Sequence, residues 1–169
     1  ELQTTVDLWI SDNATALTTY GEINTWDVSL ITSMSQLFYG KTTFNDDISN
    51  WDVSNVTIMN SMFRNASSFN QDIGGWDVSS VTNMADMFMD AESFNQDISS
   101  WDVSNLTTLW FTFDGAEFFN QDISSWNVSN VTTMSHAFRN AIFFNQDISS
   151  WNVSNVTNMG WMFHNAGLS

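Results

Sequence analysis

Two periodic rows of aspartate are the residues whose type and spacing could support chemistry. The first row comprises Asp27, Asp52, Asp77 and Asp102. The second comprises Asp47, Asp72, Asp97, Asp122 and Asp147. Both rows share one constant spacing along the chain. If the repeats stack like parallel strands, about 4.8 Å apart, neighbouring carboxylates repel by about 1 kcal/mol per pair in water. Something must therefore compensate this repulsion.

Three chemistries are open to the aspartate rows. Water and hydrogen bonds from turn amides are the first. Calcium is the second, because Ca²⁺ prefers oxygen ligands, and its hypothetical ligands are Asp72, Asp97, Asp122 and Asp147. The third is the carboxylate pair of a glycoside hydrolase, but a uniform row has no distinguished pair. We favour turn hydrogen bonds and expect no required cofactor, with calcium as the only metal hypothesis.

The remaining polar residues do not form a catalytic set. His136 and His164 are well separated in the sequence, with neither cysteine nor an HExxH motif beside them, so we interpret them as surface residues rather than zinc ligands. No Ser-His-Asp combination stands out from the periodic serines, and no phosphate-binding glycine loop exists. We therefore expect no catalytic residues and a protein that is not an enzyme.

Two further columns have alternative interpretations. A threonine recurs in every repeat, which fits helix capping and less well an ice-binding array; its members are Thr32, Thr57, Thr82, Thr107, Thr132 and Thr157. The repeat also generates glycosylation sequons. The candidate acceptors are Asn13, Asn55, Asn65, Asn105, Asn130 and Asn155, and the consensus also places sequons at Asn127 and Asn152.

Apolar residues outside the periodic pattern gather in the C-terminal half. They are Trp110, Phe111, Phe118, Ile142, Phe143, Trp161 and Leu168. A cluster of exposed apolar residues indicates a contact surface, so Trp110, Phe111, Phe118, Phe143 and Trp161 form a hypothetical aromatic patch for a partner or for a second copy. The alternative is that some of them turn inward and fill local gaps.

Composition limits the partners. The formal net charge is -16, with 19 acidic and 3 basic residues. Such a surface repels nucleic-acid phosphates and anionic lipid, so we expect protein or glycan partners, or self-association. No stretch approaches the length of a membrane span, about 18 apolar residues, and we expect no direct membrane insertion. The chain begins with Glu1, which favours a processed product or an excised segment.

A 25-residue repeat must position all these residues. Its most regular marker is tryptophan, at Trp26, Trp51, Trp76, Trp101, Trp126 and Trp151. We predict a single domain, with residues 1–25 as a degenerate N-terminal capping repeat. Residues 26–169 form the repeat solenoid, with five full repeats and a partial sixth. One repeat cannot bury its own apolar face, so neighbours must cover it.

Local patterns predict the elements of each repeat. Met59, Met62, Phe63 and Ala66 have the i, i+3, i+4, i+7 spacing of a helix face, so we expect a short helix over 57–66. The column of Asn65 contains residues that tolerate a left-handed stop. Trp76-Asp77-Val78 alternates as a strand does. We therefore predict an α/β solenoid, a leucine-rich-repeat-like right-handed coil in which every repeat is a short parallel strand plus a short helix.

Several motifs resemble a known family. The run Phe69-Asn-Gln-Asp-Ile73, then Trp76-Asp-Val-Ser79 and Val81-Thr-Asn-Met84, closely resembles the BspA-like bacterial surface-protein repeats, a divergent leucine-rich-repeat type. The resemblance covers about residues 22–166. It implies extracellular display, adhesion and partner binding, and it carries over no catalytic residue.

The expected function is therefore a non-catalytic extracellular or cell-surface module for adhesion or protein–protein interaction. The alternative is a structural building block that assembles head-to-tail into a filament or layer, with or without glycosylation. An unfinished last repeat favours such stacking, which need not close.

Overall fold

The fold begins with two helices and continues as a series of turns. The structure is a computed structural model that describes residues 1–167. Helix α1 spans Leu2–Ser11 and helix α2 spans Asn13–Tyr20, and a 3-10 turn follows at Ile23–Thr25. From Trp26 to residue 167 the described chain consists of turns, bends and isolated parallel bridges.

The two helices pack on each other and on the first repeat. Asp12 separates them and caps α2, because its carboxylate accepts the Thr15 amide at 3.1 Å. Val6 and Trp9 turn the apolar side of α1 into the core. The Trp9 indole donates to Asp46 at 2.8 Å, and Lys41 pairs with Asp7 at 2.6 Å. Residues 1–25 thus cover one end of the repeat region.

The predicted helix over 57–66 is wrong, because these residues form consecutive turns instead. Ser61 and Asn65 have φ angles of 56° and 59°, which a right-handed helix does not contain. The amides of Met59 and Phe63 donate to carbonyl oxygens of the next repeat, each at 2.9 Å. The left-handed conformation expected for the Asn65 column is confirmed. The four residues assigned to the helix face are all fully buried. The pattern therefore predicted the core residues correctly but predicted the wrong secondary structure for them.

The predicted strand at 76–78 is also wrong. Asp77 accepts the Ser79 amide at 3.0 Å and the Val81 amide bonds the Val78 carbonyl at 2.9 Å, so the segment curls into turns. Parallel bridges occur seven residues after each tryptophan, one residue per repeat; they join Ser33, Ile58, Asn83, Thr108, Thr133 and Asn158 in order. Residues 1–167 contain no longer strand, so the chain is not an α/β solenoid of strand–helix repeats and is not leucine-rich-repeat-like in its elements.

Hydrogen bonds between repeats hold the turns in register. In the first repeat the amides of Met34, Gln36, Phe38 and Gly40 donate to carbonyl oxygens of the following repeat, at 2.8–3.0 Å. Every second amide along this segment therefore bonds the neighbouring repeat. The amides of Leu37, Tyr39 and Lys41 close local turns with the carbonyl three residues earlier. Because these two sets alternate, the backbone amides of this segment all have hydrogen-bond acceptors without a helix or an extended strand.

Two phenylalanine rows form the centre of the core. The first comprises Phe38, Phe63, Phe88, Phe113, Phe138 and Phe163, with centroids of successive rings 5.4–5.8 Å apart and planes within 8° of parallel. The second comprises Phe44, Phe69, Phe94, Phe119 and Phe144 at 5.8–6.0 Å. Within a repeat the two rings stack at 3.9–4.1 Å. Each ring from Phe38 to Phe144 therefore packs on rings from its own and adjacent repeats.

Polar side chains bridge the repeats beside these rings. The buried Trp51 indole donates to the Ile23 carbonyl at 2.8 Å, and Trp76, Trp101, Trp126 and Trp151 each bond the isoleucine carbonyl 28 residues earlier. Trp101, Trp126 and Trp151 also stack in sequence at 6.4 and 6.5 Å. The Asn70 side chain accepts the Asn95 amide and the Gln96 side chain, both at 2.9 Å. The polar columns thus hold adjacent repeats in register, as the aromatic columns do.

The buried row should be far more sensitive to truncation than an exposed ring of the same type. Phe88→Ala removes a fully buried ring that contacts two neighbours in its row, and we expect a loss of about 3–5 kcal/mol in the free energy of unfolding. Phe118→Ala removes a ring that is 51% exposed, and should change it by about 0.5 kcal/mol or less. Denaturant unfolding measures both. Equal losses would contradict the assignment of the row as the core.

Candidate functional site

The aspartate rows act as turn caps. In the second row, the carboxylates of Asp97, Asp122 and Asp147 each accept the amide two residues later at 2.9 Å. The Ser99 hydroxyl, followed by its amide, lowers the pKa of Asp97, and Ser149 lowers the pKa of Asp147 in the same way. Asp72 makes the same bond to the Gly74 amide at 2.9 Å. The turn hydrogen bonds expected from the sequence are therefore present.

Calcium binding by the second row stays a prediction. Hydrogen bonds from the Ser124 amide and hydroxyl lower the pKa of Asp122, and the neighbouring charges of Asp97 and Asp147 oppose that lowering. The row is thus one of mutually repelling carboxylates. Across residues 1–167, no group of three or more His, Cys, Asp or Glu side chains is arranged to hold a metal ion.

The threonine column bridges repeats instead of capping helices. The hydroxyl groups of Thr57, Thr82 and Thr107 each donate to the carbonyl of the threonine one repeat earlier, at 3.0–3.2 Å. The capping interpretation is wrong because no helix follows these residues. Their hydroxyl protons already bond the backbone, which leaves less hydrogen-bonding capacity for an ice surface.

The sequons lie at accessible positions. Asn55, Asn105, Asn130 and Asn155 are exposed, and each side-chain amide donates to the serine carbonyl 26 residues earlier at 2.7–2.9 Å. Asn13 begins α2 and is exposed, whereas Asn65 is half-buried in its left-handed turn. Glycosylation remains a prediction at all six.

The structure divides the aromatic patch into two groups. In the first, Phe111 stacks on His136 at 4.2 Å and His136 stacks on Trp161 at 6.5 Å, while Trp110 meets Phe111 edge-on at 4.8 Å. We call these four residues the aromatic stack. In the second, Phe118 stacks on Phe143 at 5.2 Å. Among the described residues no ring pairing joins the two groups, and Leu168 lies outside the described residues.

The second group includes a neighbouring isoleucine, and we call Phe118, Ile142 and Phe143 the phenylalanine ridge. These side chains are 51%, 47% and 52% exposed. In the first group, Trp110 and Trp161 are exposed at 45% and 61%, while Phe111 and His136 are half-buried. The alternative of inward-turned side chains therefore applies in part to Phe111 and not to the other four residues of the predicted patch.

The repeat provides its own comparison for the ridge. Ser68 and Ser93 occupy the positions equivalent to Phe118 and Phe143, and all four amides donate to a carbonyl oxygen of the preceding repeat at 3.1 Å. The backbone thus has the same hydrogen bonds with serine as with phenylalanine. The fold does not require an aromatic residue there, so the ridge needs a different explanation.

An ion pair between a buried aspartate and a partly exposed arginine lies beside the aromatic stack and was missed from the sequence. Asp114 is 1% exposed and accepts two hydrogen bonds from the Arg139 guanidinium, at 2.6 and 3.0 Å. Arg139 also lies over the Phe111 ring, 5.3 Å from its centroid. Opposite charges one period apart were the available signal, because residues one period apart are neighbours in this fold.

Two more aspartates adjoin this pair in a less favourable setting. Burial raises the pKa of Asp86, with Asp114 adding to the rise and Arg64 opposing it. Burial also raises the pKa of Asp90, and the charge of Asp114 contributes next. Arg64 lies 3.8 Å from Asp86. The central repeats therefore concentrate acidic groups whose ionised forms the fold disfavours.

Comparison with known proteins identifies the family. The model of a family described as "Mycoplasma protein of unknown function, DUF285" matches residues 9–118 and 97–168. The chain belongs to this family. The two matches together confirm a repeat protein. No curated protein and no solved structure matches the chain significantly.

The DUF285 chain has no helix suited to crossing a bilayer within residues 1–167. The longer of its two α-helices, α1, has 10 residues.

Two aspartates should respond oppositely to pH when replaced by the asparagine that other repeats carry. The folded-state pKa of Asp90 is raised by burial, so its ionised form opposes folding and the penalty fades as pH falls through that pKa. Asp90→Asn should therefore stabilise the protein at neutral pH, with a gain that shrinks in acid. Denaturant midpoints between pH 7 and about pH 3 measure this.

Asp102→Asn is the matched control, because the Ser104 hydroxyl and amide lower the pKa of Asp102. Its ionised form favours folding above the unfolded-state pKa, and this contribution is lost as pH falls through the folded-state pKa. The variant should be less stable than the parent at neutral pH, with a deficit that shrinks in acid. A shift of the same sign in both variants would contradict the assigned environments.

Proposed function

We propose that this DUF285 chain is a non-catalytic module that binds a protein partner at the outside of a cell. The observation that carries the proposal is the set of exposed aromatic side chains in the C-terminal repeats, at positions where earlier repeats have small or polar residues. Exposed apolar clusters are typical of interaction sites, and aromatic residues are enriched at the centres of protein interfaces.

Two further features support the proposal. The periodic aspartates bond to turn amides, which gives them a structural role. The resemblance to BspA-like surface repeats favours adhesion and a surface location, and the accessible sequons are compatible with that location. A glycan partner would use the same exposed aromatic residues.

Self-assembly into a filament is the alternative function. Val153 and Met159 are 39% and 42% exposed in the last described turn, whereas the equivalent Val128 and Met134 are buried. A further repeat, from the same chain or from a second copy, would cover this surface. A second copy that docked at the other end of the repeat region would meet α1 and α2 instead of a repeat turn. Light scattering over a range of concentrations tests this, and a constant monomer mass would contradict assembly.

The test of partner binding uses substitutions taken from the chain itself. Trp110→Ala, Phe118→Ser, Phe143→Ser and Trp161→Ser install the residues found at the equivalent positions Ala85, Ser93, Ser68 and Ser61. The control combines Leu30→Ser and Ile58→Asn, which remove exposed apolar side chains from the N-terminal repeats in the same way.

Both variants and the parent are immobilised and exposed to a solubilised cell-surface extract, and retained proteins are quantified by mass spectrometry. We expect a protein retained by the parent and the control but lost from the fourfold variant. Identical profiles for all three chains would contradict the proposed function.

A further inference from the structure

We infer that the phenylalanine ridge docks a basic, apolar polypeptide segment of another protein, in which lysine or arginine alternates with apolar residues. This inference rests on the proposed function and specifies its partner. It combines three observations on the ridge: its exposed apolar surface, its acidic border and the absence of free basic side chains around it.

The apolar surface is continuous across two repeats. Phe118 and Phe143 stack at 5.2 Å with about half of each side chain exposed, and Ile142 adjoins Phe143 in sequence. A segment lying across both rings would bury them together. The equivalent serines show that the backbone does not need these rings. Exposing them to water is unfavourable, and a partner that buries them would explain why they are there.

Acidic residues border the ridge. Glu117 directly precedes Phe118, and the Phe118 amide donates to the Glu92 carbonyl at 3.1 Å. Burial raises the pKa of Asp90, and the charge of Glu92 contributes to that rise, so the Asp90 carboxylate is a third acidic group nearby. In earlier repeats the positions of Glu92 and Glu117 hold Thr42 and Ser67. The repeat that contains Phe118 therefore carries both an acidic and an aromatic substitution, and Glu92 lies one repeat earlier.

The chain's own basic side chains are already paired. Lys41 pairs with Asp7, Arg64 with Asp86 and Arg139 with Asp114. All Lys and Arg residues of the sequence are in these pairs, against 19 acidic residues. A second copy of the chain or an anionic surface would be repelled at the ridge, whereas a basic segment would be attracted.

The structure also contains the type of contact expected in the complex. Arg139 lies over the Phe111 ring at 5.3 Å and Arg64 lies over the Tyr39 ring at 5.8 Å. A guanidinium placed over an aromatic face gains from the ring quadrupole. A partner arginine could contact Phe118 or Phe143 in this way while Glu92 or Glu117 balances its charge.

Three short fluorescent peptides test the inference on the full chain: one alternates Arg with Leu, one Arg with Ser, and one Glu with Leu. We expect the Arg-Leu peptide to bind most tightly by fluorescence anisotropy. The double variant Phe118→Ser/Phe143→Ser should weaken its binding by about fivefold or more. Leu30→Ser, which removes an exposed apolar side chain from the first repeat without a change of charge, should leave it within about twofold.

A charge-matched pair completes the test. Glu92→Ser/Glu117→Ser should weaken binding of the Arg-Leu peptide by about fivefold. Asp77→Asn/Asp102→Asn removes the same charge elsewhere and should have less than half that effect on binding. Because serine occurs at the ridge position in earlier repeats, melting temperatures of the ridge variants should stay within about 2 °C of the parent, which separates lost binding from unfolding.

Equal binding of the Arg-Leu and Arg-Ser peptides would overturn the inference, as would tighter binding of the Glu-Leu peptide or equal losses in the ridge and control variants. That result leaves the proposed function intact if the fourfold aromatic variant still loses a retained protein. Conversely, unchanged retention in the extract experiment contradicts the proposed function whatever the peptides do.

Discussion

Hydrogen bonding between successive 25-residue turns is the constraint on which the rest of the structure depends. Alternate amides of the Met34–Gly40 segment donate to the next repeat, and the intervening amides close local turns. This arrangement works only if every repeat has the same length. With that condition met, identical residues are brought to the same place in every turn, and the rows of phenylalanine, tryptophan and asparagine follow.

The same constraint separates the scaffold from the variable surface. Columns such as Phe38–Phe163 and Asn45–Asn145 are occupied by the same residue in each copy, because each member contacts its equivalents in adjacent turns. Exposed columns are free to vary, and in the C-terminal half some of them carry aromatic residues. The repeat itself thus shows which side chains the fold requires, since serine and phenylalanine at the ridge position have equivalent backbone hydrogen bonds.

The period, the core and the left-handed column of Asn65 could be predicted from the sequence, but the elements and the second left-handed column, that of Ser61, could not. Met59, Met62, Phe63 and Ala66 were correctly assigned to one buried face. Their spacing is typical of a helix, yet consecutive turns also place these residues inward when alternate amides bond another repeat. Local periodicity does not show whether a backbone amide donates to a carbonyl in its own segment or in the neighbouring repeat. Likewise, Trp-Asp-Val alternates as a strand would, although an aspartate-capped turn produces the alternation.

For the candidate site, departures from the repeat pattern identified the aromatic residues but not their division into two groups. His136 was assigned to the surface individually, and its place between Phe111 and Trp161 follows only from aligning the repeats. The pairing of Asp114 with Arg139 could have been found from their separation of one period. Burial of Asp86 and Asp90 depends on the turn geometry, which the sequence did not indicate. Calcium, glycosylation, location and partners stay predictions.

The most direct test of the central claim compares two internal deletions. Removing residues 76–100 takes out one complete repeat and joins Gly75 to Trp101 in register, whereas removing residues 76–88 takes out about half as much chain and shifts every row. Denaturant unfolding and near-ultraviolet circular dichroism of both variants are the measurement. If turns stack in register, the larger deletion should keep one cooperative transition and the aromatic signal, and the smaller should lose both. A smaller deletion as stable as the larger one would contradict the account.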